Sequence, residues 1–121
     1  MTSSVTKKRL ALFASGRGSN GEALYKAMQE GSIKGEFVVI ITDCGTAGIV
    51  ERSKNWNIPL VVIERSDYDS KASFEKAQLD ALEPYEVEGI VLAGYMRIVG
   101  TQLIEHYEHK ILNIHPALLP S

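Results

Sequence analysis

The stretch Leu10-Ala11-Leu12-Phe13-Ala14, running straight into Ser15-Gly16-Arg17-Gly18-Ser19-Asn20, decides the fold. An unbroken apolar run suits a strand covered on both faces, where alternation with polar residues is not needed. The small-residue loop that follows lets the backbone turn sharply. A helical stretch then reaches about Glu30, with Ala23, Leu24, Ala27 and Met28 forming one apolar stripe. Ser19 or Asn20 is the expected N-cap and Gly31 the expected stop.

The same unit recurs down the chain. Phe37-Val38-Val39-Ile40-Ile41-Thr42 reads as a second buried strand, rich in β-branched residues. Asp43-Cys44-Gly45-Thr46 breaks it, and a helix is predicted from Ala47 to near Asn55. Leu60-Val61-Val62-Ile63 is a third strand, introduced by Pro59. A longer helix over Ser70 to Leu82 turns Phe74, Ala77, Ala81 and Leu82 inward, with Pro84 just beyond it. Gly89-Ile90-Val91-Leu92-Ala93 is the fourth strand. A short helix through Leu103, Ile104 and Tyr107 leads to a fifth near Ile111 to Ile114. Such alternation predicts an α/β fold: a doubly wound, Rossmann-like, mostly parallel sheet with helices on both faces. Right-handed crossovers favour a central first strand with the fourth beside it. Ligands then bind beyond the carboxyl ends of the strands, where Ser15 to Asn20, Gly94 to Val99 and Asn113 to His115 all fall.

Composition narrows the function classes. The 121 residues are 45% hydrophobic and suit one domain with a core of its own. A net charge of -2 and a pI near 5.9 leave no basic stripe for a nucleic acid. Lys7-Lys8-Arg9 reads as part of a solvated terminus. Cys44 is the single cysteine, so no intrachain disulfide is expected and a reducing compartment is. No apolar run approaches the ~18 residues of a membrane span. A cytoplasmic protein with no membrane or nucleic-acid partner is expected.

Three stretches could carry chemistry. Gly16-x-Gly18 could aim backbone N–H groups and a helix N-terminus at a phosphate. Gly21 completes a G-x-G-x-x-G pattern, and Asp43 stands where a dinucleotide fold places its acid, yet a bare match is not specific. A tight turn without a ligand stays open for the loop. Gly94-Tyr95-Met96-Arg97-Ile98-Val99-Gly100 offers an adaptable apolar wall with one guanidinium, suited to a flat heteroaromatic carboxylate. Taken alone, it reads slightly better as core residues with Arg97 solvated. Asn113 and His115 are the sharper pair: two apart on a strand, they face one site, with Pro116 holding His115 extended. A histidine can move a proton near neutral pH, and an amide can steady an oxyanion. No serine or cysteine nucleophile accompanies them. His106 and His109 read as surface residues, and no metal site is expected.

Taken in order, Ser15-Gly16-Arg17-Gly18-Ser19-Asn20, Val91 through Ile98 and Leu112 through Pro120 resemble the phosphoribosylglycinamide formyltransferases. The resemblance favours a sugar phosphate over a dinucleotide at the glycine loop. It implies formyl transfer from 10-formyltetrahydrofolate, as co-substrate, to the amine of glycinamide ribonucleotide in purine synthesis. Gly18, Ser19 and Asn20 would hold the ribonucleotide phosphate. Met96, Arg97, Ile98 and Val99 would line the folate pocket, and Lys71 falls where the family usually has a folate-contacting arginine. Asn113 would contact the folate and polarise the formyl oxygen, with His115 as general acid and base.

The chain departs from that pattern in three places. Gly21 stands where the family usually has leucine, at an expected cost of roughly 1 kcal/mol to the first helix and one apolar contact. Lys71 is a point charge where the arginine would be a fork. Family members also continue past the Asn-x-His motif, with an aspartate that partners the histidine and with further strands. Residues 1–121 are therefore expected to be a truncated N-terminal formyltransferase domain lacking the C-terminal strands. It would expose a sheet edge that a second copy or another chain could cover, and its turnover is expected to fall far below a full-length relative's. The competing readings are a non-catalytic phosphate-binding fragment, a formyltetrahydrofolate deformylase, a methionyl-tRNA formyltransferase and, more distantly, an NAD-binding domain.

Overall fold

A computed structural model describes residues 8–15, 21–95 and 99–114. Among the described residues five strands form one sheet: β1 Lys8–Phe13, β2 Gly35–Thr42, β3 Leu60–Val62, β4 Gly89–Ala93 and β5 Ile111–Ile114. Their order is β3-β2-β1-β4-β5 and every pairing is parallel. The expected doubly wound arrangement is present, with β1 central and β4 beside it. Among the described residues the α-helices between the strands are α1 Glu22–Glu30, α2 Ala47–Trp56, α3 Lys71–Leu82 and α4 Thr101–His106.

Each face of the sheet has its own core. Ala11, Phe13, Val39, Ile41 and Ile90 point to one side and meet Phe74 and Leu82 of α3 and Leu103 of α4. Leu12, Ala14, Phe37, Ile40, Val91 and Ala93 point to the other and meet Met28 of α1 and Ile49 of α2. The unbroken apolar runs follow directly, because both faces of these strands are covered. The β1–β2 register slips between Leu10 and Ala11, where Leu10 pairs with Phe37 but Ala11 with Val39. Val38 is the extra residue, and it packs on the same side as Val39. The bulge restores alternation on both strands beyond it.

Helix ends follow local chemistry. Ser70 caps α3 by accepting from the Ser73 N–H at 3.1 Å, with the Ser73 hydroxyl completing a capping box. Gly31 closes α1 at φ 85°, and the Ser32 N–H returns to the Ala27 carbonyl at 2.9 Å. Asn57 closes α2 at φ 58°, where asparagine tolerates the left-handed region. On the outer surface Tyr25 of α1 stacks on Trp56 of α2 with centroids 4.4 Å apart, and Arg52 pairs with Glu22 at 3.3 Å.

The start of α1 corrects the sequence reading. Its N-cap is Gly21, which makes no side-chain cap bond, rather than Ser19 or Asn20. Both of those lie outside the described residues. Gly21 therefore stands at the helix boundary with helical backbone angles, φ -84° and ψ -12°. It is buried, and a Cβ there would lie 2.8 Å from Leu12 Cδ2. Glycine is what allows the close approach of this turn to the central strand.

Candidate functional site at the carboxyl rim of the sheet

The chain builds outward from β1 in one direction through β2 and β3, then crosses to build β4 and β5 on the other side. The switch falls between β1 and β4, so a crevice is expected beyond their carboxyl ends. At that rim Ser15, after β1, donates its hydroxyl proton to Asp43 Oδ1, after β2, at 2.7 Å. Thr42 braces the same turn: its hydroxyl donates to the Cys44 carbonyl at 3.0 Å and accepts from the Cys44 N–H at 3.2 Å. Asp43 thus ties two strand ends together. The exposed Cys44 is part of this turn.

On the β4 side Gly94 takes φ 73°, a left-handed conformation that suits glycine and bends the chain directly after the strand. Tyr95 then lies edge-on to Phe13, centroids 5.3 Å apart, and its hydroxyl accepts from Gln78 Nε2 of α3 at 2.8 Å. Val99 packs against the same core. Next to it Gly100 precedes α4, and the Glu75 carboxylate of α3 fills the space where a Cβ would stand. That carboxylate accepts from the Gln102 N–H at 3.1 Å, while Gln102 Nε2 donates to the Ala72 carbonyl at 3.2 Å. The first turn of α3 therefore meets the first turn of α4.

Asn113 sits opposite Leu92 of β4, near the carboxyl end of β5, and is exposed. Ile111 packs on the core beneath α3 and α4, and strand alternation puts Asn113 on that face too. Tyr95, Val99 and Asn113 thus share one face near the rim. Lys71 is exposed at the first position of α3, next to the Ala72 that Gln102 reaches. Gly18, Ser19, Asn20, Met96, Arg97, Ile98 and His115 lie outside the described residues. His106 and His109 are exposed, as expected, and His109 Nε2 lies 3.2 Å from Glu108 Oε1. Among the described residues no group of three or more His, Cys, Asp or Glu is placed to hold a metal. No helix among them is long and apolar enough to cross a membrane.

Sequence reasoning missed Glu75 and Gln78. Both are buried beside Phe74 on the inward side of α3, although each reads as a solvated helix residue. The signal was there: polar residues at inward positions of a helical stripe need a partner. A cavity of about 390 Å³ opens elsewhere, lined by Lys8, Gly89 and Lys110. These residues mark the amino ends of the strands, the rim away from the switch-point crevice.

Comparison with known proteins agrees with this architecture. The chain is 42% identical over 114 residues to the phosphoribosylglycinamide formyltransferase of Bacillus subtilis (strain 168), covering 94% of this chain and 58% of that protein. It thus spans less than two thirds of that relative's length. The crystal structure of glycinamide ribonucleotide transformylase 1 from Geobacillus kaustophilus superposes with a TM-score of 0.85 at 43% identity, over 95% of this chain and 61% of that one. A formyltetrahydrofolate deformylase from Pseudomonas putida KT2440 shares the fold at a TM-score of 0.81 but only 18% identity, over 94% of this chain and 40% of that one. The family profile described as Formyl transferase matches residues 8–121, and the chain belongs to that family.

Proposed function

We propose that this chain is the N-terminal domain of an enzyme that moves a formyl group from 10-formyltetrahydrofolate to the amine of glycinamide ribonucleotide, in the cytoplasm. The observation that carries this reading is the 42% identity, sustained over 114 residues, to a phosphoribosylglycinamide formyltransferase. The deformylase, at 18% identity, shares the fold alone. A net charge of -2 gives no support to a tRNA substrate.

Gly18, Ser19 and Asn20 take the ribonucleotide phosphate through backbone donors and the start of α1. Lys71, Met96, Arg97, Ile98, Val99 and Asn113 take the folate. The substrate amine attacks the formyl carbon, and the Asn113 amide donates to the oxygen that becomes an oxyanion. His115 accepts the amine proton and returns one to the folate nitrogen as its bond to carbon breaks. No covalent enzyme intermediate is required. The exposure of Asn113 near the carboxyl end of β5 supports its role, because a donor there can reach a ligand lying across the rim.

Calorimetry and a formylation assay on this chain test the reading. Binding of glycinamide ribonucleotide is expected, with formylation far below that of a full-length relative; robust turnover abolished by His115→Ala would show that the chain is a complete enzyme rather than a domain of one. Binding of NAD without binding of the ribonucleotide would overturn the reading.

A further inference from the structure

We infer that the cavity at the amino rim of the sheet, where β1, β4 and the turn from α4 to β5 meet, is a binding site for a small organic phosphate monoester. It lies at the opposite end of the strands from the switch-point crevice and is independent of the proposed function. Lys8 opens β1 and Lys110 immediately precedes β5, and both line the cavity. Neither ammonium meets a carboxylate among the described residues. Tyr107 lines the same cavity and is 6% exposed. Its hydroxyl has no hydrogen-bond partner among the described residues, and it is not sealed from solvent. A phenol this deeply set ordinarily finds a partner.

Donors therefore exceed acceptors in this lining, which calls for an anion. Burial holds the Tyr107 pKa above the ordinary 10.0, so at neutral pH the phenol keeps the proton it donates. Glu88, the carboxylate of the described lining, is partly committed: its Oε1 accepts from the Arg9 N–H at 2.9 Å. His106 completes the rim, its ring edge-on to Tyr107 with centroids 4.7 Å apart. A phosphate dianion matches two ammonium groups in charge and has an oxygen for each donor, whereas a carboxylate has one charge and two oxygens. Leu10 and Val87 add apolar surface, and Gly89 leaves its part of the lining bare. At about 390 Å³ the cavity falls within the roughly 300–1,000 Å³ of small-molecule sites, so the phosphate carries a compact organic body.

Titration of the whole chain with phenyl phosphate, followed by amide NMR shifts and by calorimetry, tests the site. The amides of Lys8, Gly89 and Lys110 should shift and saturate together. Shifts confined to Asp43 and Gly94, at the carboxyl rim, overturn the inference. Tyr107→Phe keeps the ring and removes the donor, and it should weaken phenyl phosphate about tenfold, as should Lys110→Ala. Unchanged affinity in either variant overturns the inference. Lys8→Ala, at an exposed position, supplies the answer if Tyr107→Phe does not fold. Glu88→Gln removes the like charge while keeping an acceptor for Arg9, and should tighten binding about threefold. Benzoate should bind about tenfold more weakly than phenyl phosphate, and equal binding overturns the choice of phosphate. Inorganic phosphate should also bind about tenfold more weakly, and equal binding overturns the organic body.

Discussion

Ser15 and Asp43, far apart in sequence, are joined by a 2.7 Å hydrogen bond from hydroxyl to carboxylate across the ends of β1 and β2. The bond fixes the turn from which the glycine loop departs. Ser15→Ala removes one donor from a partly buried carboxylate, so unfolding by urea should show a loss of about 0.5–1.5 kcal/mol. An unchanged midpoint would mean that water replaces the hydroxyl without cost.

Gly100 and Glu75 compete for one volume. Gly100→Ala should push the carboxylate off the Gln102 N–H and destabilise the chain by about 1–3 kcal/mol. In a Glu75→Ala background the added methyl has room, so the same substitution should cost much less. A double-mutant cycle by chemical denaturation measures this coupling, and strict additivity would contradict the shared volume.

Gly21 and Leu12 behave similarly at the other end of the site. Leu12 is fully buried, so it cannot swing out of the way of a Cβ placed 2.8 Å from it. Gly21→Ala should lower stability by about 1–3 kcal/mol through overpacking, although alanine is ordinarily the better helix former. A stabilised Gly21→Ala protein would show that the turn can shift outward.

Asn113 is exposed, and its replacement should leave the fold intact. Asn113→Ala is expected to alter the unfolding midpoint by no more than about 0.5 kcal/mol. Where formylation is measurable, turnover should fall by about 10²–10³, the usual cost of one oxyanion donor. A large loss of stability would instead identify Asn113 as a structural residue.

Tyr107 gives the chain an alkaline limit. Burial raises its hydroxyl pKa above the ordinary 10.0, because the phenolate would lose its hydration. The unfolded chain then ionises first and the folded chain keeps the proton. This contribution is fully present below about pH 10 and is lost as pH rises through the folded value. Stability measured against pH should fall less steeply above pH ~10 in Tyr107→Phe than in the unmodified chain.

Much of this protein was legible before any coordinates. Short apolar runs such as Leu10 to Ala14 and Gly89 to Ala93 read as strands covered on both sides, and their alternation with helical stretches argued for a parallel sheet. Crossover handedness favoured a central first strand with the fourth beside it, and the observed order β3-β2-β1-β4-β5 has both. The motifs that follow the strands carried the family resemblance, because each is a short, contiguous stretch of the chain. Contacts between elements were decided only in three dimensions. A strand buried on both faces has no polar alternation to show which side chain meets which helix, so the bulge at Val38 left no mark in the sequence. Glu75 and Gln78 look like ordinary solvated helix residues until α3 is laid against the segment after β4. Their partners, Gln102 and Tyr95, are set by tertiary packing rather than by helical period.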